Sequence, residues 1–482
     1  MAELGRTSPF LVVPCIMVWL ISGAPAFAQG AGGGGGSGGL GNAFDYPIPA
    51  SVHEAYSPIN EGFASPSDPR ADLKGPTPYV DEREVAPKAA RQGDVPFFRD
   101  TDLKFNSRSY WMDEDIFGLG EPKALTSGGW LSYRSGYLGD ILQLRGALYT
   151  SQPLYAPEDA GGTLNLTLDG DQITTLGQAN ARAKFLGQEL IAGRQLVRTP
   201  YINPNDDRMI PDTFEGVVLL PEQSADQKLG YIASYLWRYK PRNTPNFIPF
   251  TQALGVEQDE GVLINGVNYR VGEFHTGVVN YWIKDAMNTA YGEVDYTLPL
   301  GGGKDGPGIR LGLNNIDQRS VGAGLIRDSP FATNQVSARL LASYRGFVLT
   351  SAISRVSRDH EILKPYGWSP AYTAMMISSF QRAGETAYLT GLSYDFSRIG
   401  LNGLTFFAGW GWGFDAINSK TGAPLANRDE LDLRLEYEPH DGALEGLRVQ
   451  LDYIDMRLID APLPSDDLTQ FRVIVNYMVP LL

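Results

Sequence analysis

Cysteine is almost missing from this 482-residue chain, and the single one, Cys15, lies inside an N-terminal apolar segment. Arg6 precedes that segment, Phe10 to Ile21 is apolar apart from Pro14, and Ala26-Phe27-Ala28 offers the small residues that signal peptidase reads. Residues 1–28 are therefore expected to be a signal peptide cleaved before Gln29. A lipid anchor at Cys15 is disfavoured, because Val13-Pro14 precede it and the apolar run continues past it. The mature chain then has no thiol, which excludes disulfides and thiolate metal sites. Beyond the signal no run approaches the ~18 apolar residues of a membrane-spanning helix.

Histidine is scarce too. His53, His275, His360 and His440 are the only four; no His-x-x-x-His pair and no Gly-x-Ser-x-Gly elbow accompanies them. A hydrolase triad or a zinc protease has nothing to build on. No cofactor is expected: the Gly32 to Gly36 run follows no strand, and Asp305 stands after Gly301-Gly302-Gly303-Lys304 where a phosphate loop requires Ser or Thr. Charged residues are 20% of the chain and the formal charge is -15, which excludes a general nucleic-acid binder, since that affinity rests on Lys and Arg displacing counterions.

Glycine (55 residues) and tyrosine (24) are plentiful, a mixture that argues against a helical bundle. Residues 29–96 are Gly- and Pro-rich without a sustained period and are expected to form a flexible extension. From residue 97 the pattern changes to period 2. Leu229, Tyr231, Ala233, Tyr235, Trp237 and Tyr239 alternate with Gly230, Ile232, Ser234, Leu236, Arg238 and Lys240. The same alternation recurs over 404–414, 431–438, 447–453 and 471–479. Several runs last ten residues or more, the length of a tilted membrane strand rather than a soluble one. Trp130, Tyr149, Tyr235, Trp237, Tyr239, Trp282, Tyr296, Tyr437 and Tyr453 fall near run ends, where an interfacial girdle belongs. Short turns such as Tyr344-Arg345-Gly346-Phe347 alternate with long loops such as 203–212 and 358–382. Residues 97–482 therefore read as an all-β, transmembrane antiparallel β-barrel of seventeen or eighteen strands.

Particular segments resemble the OprD family of substrate-specific outer-membrane porins: Gly193-Arg194-Gln195, the run Asn205 to Gly216, Ile316 to Gly322, Pro370 to Thr373, Phe380 to Glu385, Leu392 to Phe396 and Arg472 to Tyr477. The resemblance is collinear over 97–482. It implies 18 strands, inward-folded extracellular loops and passage of small water-soluble nutrients that commonly bear a carboxylate. Two departures stand out, the long extension and the Leu481-Leu482 end where many barrels finish in an aromatic.

On strands with clear alternation, the face opposite the apolar one carries Lys104, Arg108, Arg145, Arg238, Arg310, Arg339, Arg434, Arg448 and Arg472; Arg194 is counted with them. Guanidinium groups bind carboxylates bidentately and stay charged, so such a column can pass an anion along the wall. A basic ladder is also what the resemblance implies. The same arginines have a plainer reading, since a mid-bilayer charge must face inward in any case and can simply pair with acids on neighbouring strands. The resemblance assigns 197–213, with Asn205, Asp206, Asp207 and Arg208, as the third loop, and 364–381, with Tyr372, Ser378 and Ser379, as the seventh, the two meeting at the constriction. The expected partners are small solutes, outer-membrane lipid and the outer-membrane assembly machinery; a homotrimer fits the class, though no motif encodes it. A general diffusion pore and, further off, a barrel hydrolase are the competing functions.

Overall fold

The computed structural model describes residues 95–116, 120–222, 228–298, 300, 306–327, 330–439, 442–459 and 467–482. The expected signal peptide and the extension up to residue 94 lie outside the described residues. Among the described residues a short helix, α1 (Pro96–Arg99), leads into nineteen strands: β1 (Asp102–Ile116), β2 (Lys123–Arg134), β3 (Leu142–Tyr155), β4 (Ile173–Phe185), β5 (Gln188–Gln195), β6 (Thr213–Pro221), β7 (Leu229–Lys240), the two-residue β8 (Ile248–Pro249), β9 (Val262–Val271), β10 (Phe274–Ile283), β11 (Met287–Leu298), β12 (Gly308–Ser320), β13 (Ala332–Tyr344), β14 (Phe347–Val356), β15 (Thr386–Asp395), β16 (Leu404–Phe414), β17 (Asn427–Tyr437), β18 (Leu447–Ile459) and β19 (Leu468–Pro480).

β8 adds only a two-residue pairing to β7; the other eighteen strands pair antiparallel in chain order, β7 with β9, and β19 returns to pair with β1 from Ile116↔Leu468 to Lys104↔Pro480. The result is a closed barrel of 18 strands, a form with no sheet edge left to satisfy in lipid. Period-2 sequence is what makes it. In β14, Phe347, Leu349 and Ile353 are exposed on the outer surface while Val348, Thr350, Ala352 and Ser354 are buried inside. The end that carries the first and last strand termini has the short turns. Arg345 and Gly346 there both take positive φ (47° and 83°), as a two-residue hairpin requires. The opposite end carries the long connections, so it is the extracellular end. Residues 196–212 are its third loop and 357–385 its seventh, in accord with the sequence assignment.

The interior differs from the uniformly polar lumen of a simple porin. On β5 to β11 the inward face is largely apolar, with Ile191, Val218, Ile232, Leu236, Ile264 and Tyr281 buried there. Three loops pack onto it: Val197, Tyr201 and Ile202 from the third, Phe250 from the fourth and Tyr366 from the seventh. Tyr366 Oη donates to the Phe250 carbonyl at 2.6 Å, and the Tyr201 amide donates to Tyr281 Oη at 3.1 Å. Each aromatic thus buries its ring and keeps its polar atom bonded. Hydrophobic packing of loops against one half of the wall confines the open polar space to the other half.

Three girdle expectations need correction. Trp130 and Tyr149 face inward, with ring centroids 5.9 Å apart, and Tyr239 is buried inside against Phe214. Tyr235, Trp282, Tyr296 and Tyr453 are exposed on the outer face as expected. The Tyr239 reversal has a local cause. Glu215 pairs with Arg238 but Gly216 pairs with Leu236, so Trp237 is an extra residue on β7. One extra residue swaps the two faces for the rest of a strand.

Candidate functional site

The inner wall made by β17, β18, β19 and β1 carries the polar chemistry. Its register arranges side chains in transverse rows. Arg434 lies opposite Asp452, and Asp452 opposite Arg472. Four residues nearer the short-turn end, Arg448 lies opposite Asn476, and Asn476 opposite Arg108. At ~3.4 Å per residue these two rows stand about 13 Å apart along the strands. A ladder of two rungs results, each with two guanidinium groups flanking one polar residue.

Every rung residue is held by partners. Arg434 grips Asp452 bidentately, Nε to Oδ1 at 2.6 Å and Nη2 to Oδ2 at 3.0 Å. Arg448 Nη2 donates to Glu436 Oε2 at 2.7 Å. Arg108 Nε donates to Asn476 Oδ1 at 2.7 Å and its Nη1 to Asp206 Oδ1 at 2.7 Å, with the Trp130 ring 4.9 Å below the guanidinium. Arg472 Nε donates to Gln470, while its Nη2 is buried without a hydrogen-bond partner. Tethered guanidinium groups lose little further freedom when an anion arrives, which is the physical basis of preorganised binding.

The third loop closes over this wall. Asn205, in the left-handed region at φ 44°, Asp206, Asp207 and Arg208 face the rungs across a cavity of about 260 Å³. Six arginines line it (Arg108, Arg198, Arg208, Arg434, Arg448, Arg472) against two aspartates. Arg208 is buried; it bonds Asp207 and donates from Nε to the Thr163 carbonyl at 2.9 Å. Asp207 also binds Arg242 of the fourth loop, so one carboxylate ties two loops together. From the seventh loop, Trp368 reaches the cavity, and its amide donates to Asn203 Oδ1 at 3.1 Å.

The remaining sequence candidates divide. Arg310 and Arg339 face inward on β12 and β13 but form a separate group around Asp295, at 3.0 and 3.2 Å, with Arg339 4.2 Å from the Tyr372 ring centroid. Arg145 is also inward, bonded to Gln143 Oε1 at 2.6 Å on β3. Tyr372, Ser378 and Ser379 are buried and none lines the cavity; the Ser378 amide is held by Glu430 Oε2 at 2.6 Å. Arg194 and Arg238 are corrections. Arg194 shares the outward parity of the exposed Leu190 and bonds Glu215 Oε2 at 2.9 Å, on the outside of the wall. Arg238 lies beyond the β7 bulge and pairs with the exposed Asp259 at 2.7 Å. Neither belongs to the lumen. Trp368, inside the seventh-loop segment 364–381, lines the cavity; the residues that sequence reading missed are Arg198, which sits in a loop without period, and Asn476, a neutral residue whose only signal is its place between two arginines.

A model of outer-membrane porins of the OprD family matches residues 95–481. The chain belongs to the OprD family. Solved structures share its fold: OpdK of Pseudomonas aeruginosa with vanillate (TM-score 0.71, 21% identity), a BenF-like porin from Pseudomonas fluorescens Pf-5 (0.71, 18%) and OccK2 (OpdF) of P. aeruginosa in complex with glucuronate (0.68, 23%). In each case the match covers 80% of this chain and 100% of the other. No curated protein matches the chain by sequence. As an OprD-family porin it is a channel of the Gram-negative outer membrane, and it passes small solutes.

In this OprD-family channel a carboxylate clasps three extracellular loops together. Glu361 of the seventh loop binds Arg327 of the sixth and accepts from Ser419 Oγ of the eighth at 3.0 Å. Burial opposes ionisation of Glu361, but the bonds from Arg327 and Ser419 outweigh it and hold the carboxyl below its ordinary 4.5. A depressed folded value means the clasp contributes fully above the unfolded value and is lost as pH falls through the folded one. Single-channel records should therefore be quiet at neutral and mildly acidic pH and begin to flicker only below pH 4.5. The Glu361→Gln channel should flicker throughout. Equal noise in the two channels at pH 7 would dismiss the clasp.

Proposed function

We propose that this porin is selective for small organic carboxylates. The observation that carries the reading is the convergence of Arg108, Arg434, Arg448 and Arg472, in two registered rungs, on one cavity faced by Asp206. A carboxylate entering from the extracellular side meets the Arg434–Arg472 rung first and the Arg448–Arg108 rung next. The buried Nη2 of Arg472 lacks an acceptor that such an anion supplies. Two sites about 13 Å apart allow release from one while the other is approached, as conduction demands. Asp206 of the third loop, set against the arginines of the wall, orients a solute bearing both charges. Vanillate and glucuronate, bound by two of the structural relatives, both carry a carboxylate, which agrees with the reading.

Planar-bilayer conductance of the purified channel tests it. Carboxylates of graded size should block small-ion current in a concentration-dependent way, and neutral analogues of the same size should not. Equal block by both would make the protein a general diffusion pore.

A further inference from the structure

On the wall away from the main cavity, His275 of β10 lies directly opposite Asp295 of β11, and Glu293 stands two residues along on the same inward face. One ligand atom from each of the three lies within 4.8 Å of the others. His275 is 1% exposed and neither ring nitrogen has a hydrogen-bond partner. Asp295 is 0% exposed, and its Oδ2 is likewise without one. A buried imidazole with both nitrogens unbonded beside an unbonded carboxylate oxygen is costly unless something positive bridges them.

The surroundings fix the acids from behind. Asp295 Oδ1 accepts from Arg310 Nε at 3.0 Å and Arg339 Nη2 at 3.2 Å. Glu293 Oε2 accepts from Tyr291 Oη at 2.5 Å and Tyr372 Oη at 3.0 Å. In both residues the outer partners hold one oxygen, so a ligand drawn from either is the other oxygen. This is the division of labour between ligand and supporting bonds found at metal centres. Gly312, opposite Asp295 on β12, keeps the place open, since a Cβ there would lie 2.8 Å from Asp295 Oδ1 and 2.9 Å from Tyr372 Oη.

We propose that His275, Glu293 and Asp295 form a lumenal binding site for a divalent transition-metal ion of the zinc and copper class. Imidazole nitrogen with carboxylate oxygen selects such ions over calcium and magnesium, which prefer all-oxygen shells. Ligand atoms at ~2.0–2.2 Å from a tetrahedral ion stand about 3.3 Å apart, so side-chain rotations of about 1 Å complete the set. Glu293 is only half-buried and marks the side of entry. The charges of Arg310 and Arg339 offset those of the two acids, which sets the affinity at a moderate level.

The test uses the untagged full-length mature channel in detergent, titrated with zinc chloride by calorimetry. One zinc per barrel should bind, His275→Gln should weaken it at least about tenfold, and His360→Gln should leave it unchanged. Heat-modifiable migration checks that each variant is folded. Should His275→Gln not fold, a variant lacking His53, His360 and His440 decides the matter. With copper(II) added, its paramagnetic resonance should show one imidazole nitrogen, which only His275 can supply. No saturable zinc binding by the parent channel, zinc binding unaffected by His275→Gln, or an all-oxygen copper signal would overturn the proposal and leave the cluster as the holder of a shared proton only.

Discussion

Arg472→Gln and Arg448→Gln should each weaken carboxylate block of the channel about tenfold, while Arg194→Gln and Arg238→Gln leave it within about twofold of the parent. The first pair removes one guanidinium from each rung. A hydrogen bond to a charged group contributes ~1.5–3 kcal/mol, and 1.4 kcal/mol is a factor of ten. Arg448 is about a third exposed and sits at the lower end of that range through solvent screening. The second pair lies on the outer surface, bonded to Glu215 and Asp259, and has no path to the permeating ion. Bilayer records with one carboxylate over a range of concentrations give all four values. Equal effects from inward and outward arginines would sink the two-rung reading, because bulk charge rather than position would then be setting the affinity.

The largest structural effect is expected from Asp207→Ala. Asp207 is buried and binds both Arg208 and Arg242, and its carbonyl accepts from Tyr110 Oη at 3.1 Å. Removing the carboxylate strands two buried guanidinium groups, a change of ~3–5 kcal/mol for a broken buried pair. The barrel itself should still assemble, since none of its ladder hydrogen bonds involves that side chain. What yields is the third loop. Unitary conductance should rise and become noisy, and the difference between carboxylates and neutral analogues should shrink. A quiet channel of unchanged conductance would show that the loop is held by its apolar anchors Tyr201 and Ile202 alone.

How far the sequence could be read follows from what each signal depends on. Strand β16 coincides with the alternating run 404–414, and β7 with 229–240, because a wall one residue thick between lipid and lumen must alternate at every step. The same rule put Arg108, Arg434 and Arg472 on the inner face. It failed at Arg238, where Trp237 is inserted, since a bulge leaves no mark in composition or period. Parity also placed Ile232 on the inner face of β7, but it says nothing of why an apolar residue can stand there, which depends on loops arriving from distant parts of the chain to pack against it. Arg198 was beyond reach for a related reason: its position depends on how the third loop folds, and a loop has no repeat to extrapolate.

The basic wall straddles the seam of the cylinder. Arg108 belongs to the first strand and Arg472 to the last, and they come within reach of one cavity only when β1 and β19 zip together. If the two rungs select carboxylates as proposed, a chain with this seam open holds the arginines but not the paired rungs, and closing the cylinder also completes the selective site. On that reading the channel and its selectivity share one joint, because the pairing that closes the wall is also the pairing that sets Arg108 beside Asn476 and the rung that Arg448 completes.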